Sequence, residues 1–155
     1  KRLPLDQYRR QRRGGKGLVQ METKEEDFVT RTFVTRTHDN VLFFTSLGRV
    51  YRLKGYELPE GSRHSKGKAI INLLPRLKEG ERVQTLLPLH DLAGPGALLF
   101  ATRRGLVKRT ELSEFQNIRV SGIQAVLLED SDELVDVAVF ADPENEVVLA
   151  TRSGQ

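Results

Sequence analysis

The stretch VLFFTSLGRVYRL, at residues 41–53, carries the pattern that decides the fold. Four mostly apolar positions lead into Thr, two variable residues and Gly, after which apolar and basic residues alternate. The pattern returns as LLFATRRGLVKRT at residues 98–110 and starts again as VVLATRSGQ at residues 147–155, with its glycine at positions 48, 105 and 154. One supersecondary unit therefore occurs three times in the chain.

Each copy is predicted to form a β-hairpin. The Thr-x-x-Gly step indicates a tight turn, because Gly adopts positive φ without strain. Another β-like stretch precedes each copy, at residues 27–34, 81–89 and 133–140, with turn-forming residues in between. No stretch of ten or more residues combines helical periodicity with capping residues. The sequence therefore predicts an all-β fold, and repeats of about 50 residues indicate a propeller-like array or a solenoid.

The charge of the chain is unevenly distributed. The 155 residues carry a net charge of +4, but residues 1–17 hold seven Lys and Arg against one Asp, and the remainder nets −2. Residues 124–150 contain eight acidic residues and no Lys or Arg. This asymmetry suggests a polyanionic partner for the basic part. The chain has no Cys and no apolar run of membrane-spanning length, so we expect a cytoplasmic protein with no membrane partner. Because the sequence stops in the middle of the third repeat, we also expect it to be a piece of a longer polypeptide.

Basic residues recur at the predicted hairpin tips and in the loop joining the first two units. If the units are arranged radially, equivalent turns fall along one rim, and their cations form a stripe that can follow a phosphate backbone. A single basic tip is more simply a solvated edge residue, but recurrence in several units favours a function. The phosphate contacts predicted here are Arg49, Arg52, Arg63, Lys66, Lys68, Arg103, Arg104, Lys108, Arg109 and Arg152.

Catalytic and metal-binding patterns are missing from the sequence. GSRHSKGKA, at residues 61–69, lacks both the first Gly and the final Ser or Thr of a phosphate-binding P-loop. His38, His64 and His90 have no spacing that suggests metal ligation, and the acidic residues at 129–133 fit a turn. We therefore predict no catalytic residue and no metal site in this chain.

The heptapeptide QRRGGKG, at residues 11–17, places three cations and three glycines on flexible backbone. Arg donates paired hydrogen bonds to phosphate, and bare glycine backbone offers N–H groups to an anion. The heptapeptide matches the gyrase A box at every position, and residues 98–119 resemble the blades of the same family. The chain thus resembles, over essentially its whole length, the C-terminal domain of the A subunit of bacterial DNA gyrase, a type IIA topoisomerase. The box adds Gln11, Arg12, Arg13, Gly14, Gly15, Lys16 and Gly17 to the predicted DNA contacts.

The resemblance implies a β-pinwheel, a propeller-like ring whose four-stranded blades exchange strands. On this basis residues 1–17 form a linker with the box, and residues 18–155 form an incomplete ring. The predicted units are residues 18–60, residues 61–115 and an incomplete third at 116–155.

The implied function is to bend double-stranded DNA around the basic rim with a fixed chirality, so that the holoenzyme introduces negative supercoils. The implied partners are the remainder of the A polypeptide and the B polypeptide of gyrase, in a complex of two A and two B subunits on the chromosome. This part of the protein needs no cofactor, since ATP and Mg²⁺ act elsewhere in the holoenzyme. Tyr8, Tyr51 and Tyr56 all lack the A-x-R-Y-T setting of the DNA-breaking tyrosine.

Three alternatives remain open. The C-terminal domain of the topoisomerase IV A polypeptide shares the fold, but its box is degenerate. A protein-binding β-propeller would show apolar or aromatic patches at its turns instead of repeated cations. An RNA-binding module with an Arg-Gly tail would repeat the Arg-Gly-Gly motif, which occurs once here, at residues 13–15.

Overall fold

The computed structural model describes residues 1–8, 10, 12–15, 29–62, 64–140 and 146–150. The described residues contain no α-helix, and so none that could cross a membrane. Short 3-10 turns lie at Leu5–Gln7, Gly55–Glu57, Ile70–Asn72 and Leu112–Phe115. The all-β prediction is confirmed. The strands are β1 (Asn40–Thr45), β2 (Arg49–Lys54), β3 (Val83–Leu89), β4 (Ala97–Thr102), β5 (Val107–Glu111), β6 (Ile123–Gln124) and β7 (Leu134–Phe140).

The first two repeats form the predicted antiparallel hairpins, β1–β2 and β4–β5. Gly48 has φ +71° and Gly105 has φ +87°, which is the left-handed conformation that the turns were expected to need. Gly48 is also confined by packing, because a Cβ atom there would overlap the Val126 carbonyl oxygen. The equivalent space at Gly105 is open.

The strands are exchanged between units. The β-like stretch before each later hairpin pairs with the hairpin before it, so that β3 joins β1 and β7 joins β4. The two sheets have the orders β3-β1-β2-β6 and β5-β4-β7. The sheets therefore do not coincide with the predicted units 18–60, 61–115 and 116–155, since β3 lies in the second unit and completes the sheet of the first. Those limits remain a prediction about where the sequence repeats.

Two stretches predicted to be strands are not strands where the structure describes them. Residues 29–34 and residues 146–150, which begin the third repeat, have no assigned strand. A strand needs a hydrogen-bonding partner, and 81–89 and 133–140 find theirs in the preceding hairpin. No described hairpin precedes residues 29–34, and no described strand pairs with residues 146–150, where Val148 is 90% exposed. The prediction of strands at these places is wrong for the described residues.

The main core fills the space between the two sheets. Leu42, Phe44 and Val50 of the first sheet pack with Leu98 and Phe100 of the second. The rings of Phe44 and Phe100 meet edge to face at 5.6 Å. A second cluster covers the other face of the first sheet, including Val41, Phe43 and Tyr51 under Leu74. Because both of its faces are covered, β1 is buried at every position.

Candidate nucleic-acid interface

The two hairpin turns lie side by side at one edge of the molecule. The N–H of Leu134 donates to the carbonyl of Ser46, in the first turn, at 3.0 Å. The neighbouring carbonyl of Glu133 accepts from the N–H of Arg103, in the second turn, at 2.8 Å. Residues 133–134 thus join both turns. The expectation that equivalent turns fall along one edge is confirmed for the first two repeats.

The repeated Thr fixes each turn to the segment that leads into the exchanged strand. Thr45 and Thr102 each accept, through Oγ1, the backbone N–H four residues further on, at 3.3 and 3.1 Å. Thr45 also donates to the buried carboxylate of Glu81 at 2.6 Å, and Thr102 bonds the carboxylate of Asp132. Sequence analysis recognised the Thr-x-x-Gly pattern and missed its acidic partner, because the partner lies about 30 residues away.

The carboxylate of Asp132 is held in its ionised form. Burial raises its pKa, but hydrogen bonds from the Thr102 hydroxyl and from the N–H groups of Arg104 and Glu133 outweigh burial, and the pKa is lowered overall. The same carboxylate therefore orders the second turn and contributes negative charge beside it.

Arg49, predicted to contact phosphate, faces into the protein instead. Its side chain is 15% exposed, and Nη1 lies 3.3 Å from Oε2 of Glu81, whose side chain is fully buried. Nη2 donates to the carbonyl of Ser121, and the guanidinium sits 5.0 Å from the ring centre of Tyr51. The protein already occupies most of the donors that a phosphate would need.

Tyr51 packs beside Arg49 and Glu81. Burial first, and then the Glu81 carboxylate, raise the pKa of its phenol, so the hydroxyl keeps its proton and donates to the carbonyl of Arg76 at 2.9 Å. Gly122 rests against the ring: a Cβ atom at this position would approach it to 2.9 Å. Tyr51 is thereby packed between the loop that carries Arg76 and the turn at residues 119–122.

Two more predicted contacts, Arg52 and Lys108, also bond to the protein backbone. Arg52 donates to the carbonyl of Gln116 at 2.7 Å, and Lys108 donates to the carbonyl of Ala125 at 2.9 Å. Both acceptors lie in the irregular segment connecting the two sheets, whose carbonyls have no strand partner of their own. Together with Arg49, these cations stabilise the connection between units.

The second turn carries exposed arginines that are surrounded by carboxylates. Arg103 lies 3.7 Å from Glu133, and Arg104 lies 3.6 Å from Glu129. Arg109, on β5, pairs with Glu111 at 3.2 Å. The acidic residues at 129–133 were predicted to form a turn, and they do. Only the tertiary structure places that turn against Arg103 and Arg104.

The structure describes several further predicted contacts, and none of these residues contacts either hairpin turn. Arg12 and Arg13 are exposed and begin a turn in which Gly15 N–H bonds the Arg12 carbonyl at 3.0 Å and Gly14 has φ +79°. Lys66 and Lys68 are exposed as well. Five predicted contacts lie outside the described residues: Gln11, Lys16, Gly17, Arg63 and Arg152.

Sequence analysis missed four exposed cations beside the first turn. The carbonyl of Arg82 accepts from the N–H of Ser46 at 2.7 Å, and the Arg82 guanidinium lies 3.1 Å from Glu133. Arg76 and Lys78 lie in the loop before β3, and Arg119 lies in the turn before β6. None of them belongs to the repeated hairpin motif, so no sequence signal singled them out.

Among the described residues, no three His, Cys, Asp or Glu side chains lie together in a way that could hold a metal ion. His90 instead lies 2.8 Å from Oδ1 of Asp39. The pKa of Asp39 is lowered, chiefly by the N–H of Arg36 and then by His90.

Comparison with known families identifies the fold. A family model described as the DNA gyrase C-terminal domain, a beta-propeller, matches residues 1–36, 39–90 and 97–141. The chain belongs to the DNA gyrase C-terminal domain family. It is 46% identical over 154 residues to the DNA gyrase A subunit of Halalkalibacterium halodurans and 47% identical over 155 residues to that of Deinococcus deserti. These alignments cover 99% and 100% of the chain but only 18% and 19% of those relatives.

Solved structures share this fold. A DNA gyrase A C-terminal domain aligns with 92% of this chain and 45% of its own, with a TM-score of 0.68 and 26% identity. The C-terminal domain of a DNA topoisomerase IV aligns with 68% of this chain and 32% of its own, with a TM-score of 0.63 and 32% identity. The exchanged strands agree with the β-pinwheel expected from the sequence.

Proposed function

We propose that this chain is a DNA-binding and DNA-wrapping part of a DNA gyrase A polypeptide. Duplex DNA lies along the edge that carries the hairpin turns and is bent by following it. The observation that carries the proposal is the adjacency of the two hairpin turns, which residues 133–134 join by backbone hydrogen bonds. Membership of the gyrase C-terminal domain family supports the same assignment.

The energetics favour sequence-independent contacts. Bending 20 to 30 base pairs by 40 to 90° costs on the order of 1 to 6 kcal/mol, which phosphate contacts and counterion release must offset. The described residues contain no α-helix to enter a major groove. Contacts to the DNA backbone then supply the affinity, and deformability of the DNA supplies what base preference there is.

Within the holoenzyme, the wrap presents one DNA segment to another with a fixed handedness, so that strand passage introduces negative supercoils. The B polypeptide hydrolyses ATP with Mg²⁺, the remainder of the A polypeptide cleaves DNA, and this domain contributes no catalytic group. The assembly contains two A and two B subunits and acts on the chromosome in the cytoplasm.

A DNA-binding titration at two salt concentrations tests the proposal. The logarithm of the binding constant should fall with that of the salt concentration, with a slope of about −0.9 per phosphate neutralised. Relaxed plasmid closed by ligase on the protein should also retain supercoils of one sign. Affinity that does not change with salt, or plasmid closed without net supercoils, would contradict wrapping along a basic edge.

One observation favours a topoisomerase IV A polypeptide instead, namely the 32% identity to that enzyme's C-terminal domain over 68% of the chain. The intact QRRGGKG heptapeptide favours gyrase. The reconstituted holoenzyme separates the two, because gyrase supercoils relaxed plasmid in the presence of ATP, whereas topoisomerase IV leaves it relaxed.

A further inference from the structure

We propose that the phosphate backbone binds at the corner around the first hairpin turn, through Arg76 and Arg119. The second hairpin turn, although it carries more arginines, does not provide the main contact. The β1–β2 corner comprises turn 46–49, loop 75–81 and turn 119–122. The β4–β5 corner comprises turn 102–105 and the acidic turn 129–133. The inference rests on the proposed function and specifies which cations of the edge meet DNA.

The β1–β2 corner is organised around one largely buried arginine, Arg49. The Arg49 guanidinium bonds the carbonyls of both Arg76 and Ser121, so the loop and the turn are held against the same group. Tyr51 bonds the Arg76 carbonyl from below, and Gly122 packs on its ring. Arg76 and Arg119 therefore project from backbone that is already fixed on either side of Arg49.

Three of the four cations of this corner are free to bind an anion. Arg76, Lys78 and Arg119 are exposed and form no ion pair in the part of the chain that the structure describes. Glu81 is satisfied by Arg49, which leaves Glu79 as the one exposed carboxylate among residues 46–49, 75–81 and 119–122. Four basic and two acidic side chains give the corner a net charge of +2.

The β4–β5 corner has the opposite balance. Arg103 and Arg104 share it with Glu129, Asp130, Asp132 and Glu133, and Arg82 also reaches Glu133, at 3.1 Å. Three basic and four acidic side chains give this corner a net charge of −1. Arg103 and Arg104 already lie 3.7 and 3.6 Å from carboxylates. A phosphate arriving there must displace those carboxylates and remain within a few ångström of them, and at that distance like charges repel measurably even near the surface.

Matched double variants in the full-length gyrase A polypeptide test the inference. Arg76→Gln with Arg119→Gln removes two charges from the first corner, and Arg103→Gln with Arg104→Gln removes two from the second. Binding of a fluorescent duplex is measured from 50 to 200 mM salt, and thermal unfolding of each variant serves as the folding control. Losing two phosphate contacts reduces the steepness of the plot of log binding constant against log salt concentration by about 1.8. The variant's loss of affinity relative to wild type should therefore be about tenfold larger at 50 mM salt than at 200 mM salt.

A large slope change for the first pair, together with a change below about 0.5 for the second pair, supports the inference. An equal or larger change for the second pair overturns it while leaving the proposed function intact. Wild-type protein whose DNA binding does not depend on salt contradicts the proposed function itself.

Discussion

Replacing Arg49 with Met separates a structural role for this residue from the DNA contact that its position in the repeat predicts. The substitution removes the ion pair at 3.3 Å to the fully buried Glu81 carboxylate and the contact with the Tyr51 ring. Breaking a buried pair costs about 3 to 5 kcal/mol, and because Arg49 is partly exposed we take the lower end. A cation–π contact adds about 0.5 to 1 kcal/mol. The free energy of unfolding should therefore fall by roughly 3 to 4 kcal/mol.

Urea denaturation measures this loss, and a double variant identifies its source. Arg49→Met combined with Glu81→Gln should lose less stability than the two single variants added together, with a coupling of about 1 to 3 kcal/mol, because no uncompensated charge stays buried. The salt dependence of DNA binding should be unchanged in Arg49→Met. A loss below about 1 kcal/mol, accompanied by a salt slope reduced by about 0.9, would refute the reasoning and restore Arg49 as a phosphate contact.

Replacing each repeat glycine with Ala should destabilise the fold by different amounts. Gly105→Ala introduces only backbone strain, which costs about 1 to 2 kcal/mol, whereas Gly48→Ala adds a clash with the Val126 carbonyl oxygen to its strain at φ +71°. Equal losses of stability in urea denaturation would contradict the packing described. The lowered pKa values of Asp39 and Asp132 mean that the unfolded chain binds more protons, so stability is fully present above about pH 4 and declines as the pH falls through the folded-state values. Urea midpoints measured from about pH 5 to about pH 2.5 should show this decline, and it should be smaller in Asp132→Asn; an identical decline would remove Asp132 as its source.

The sequence predicted what depends on local periodicity and composition. Alternating apolar residues around Thr-x-x-Gly indicated the hairpins, because positive φ at Gly48 and Gly105 is a property of the turn itself. The repeat also predicted that equivalent turns share an edge. The intact heptapeptide at residues 11–17 and the hairpin pattern together carried the resemblance to the family that the comparisons then showed.

Pairing partners and charge environments depended on tertiary structure. Exchange of β3 and β7 decides which stretches become strands, because residues 29–34 resemble them in sequence but have no described partner. The sequence does not distinguish a basic residue that pairs with a carboxylate of the protein from one that is available to a ligand. Only folding turns Arg49 towards Glu81, sets the acidic turn against Arg104, and leaves Arg119 without a counter-charge among the described residues. Electrostatic energy depends on distances in space, and those distances join residues that are 25 to 72 positions apart in the chain.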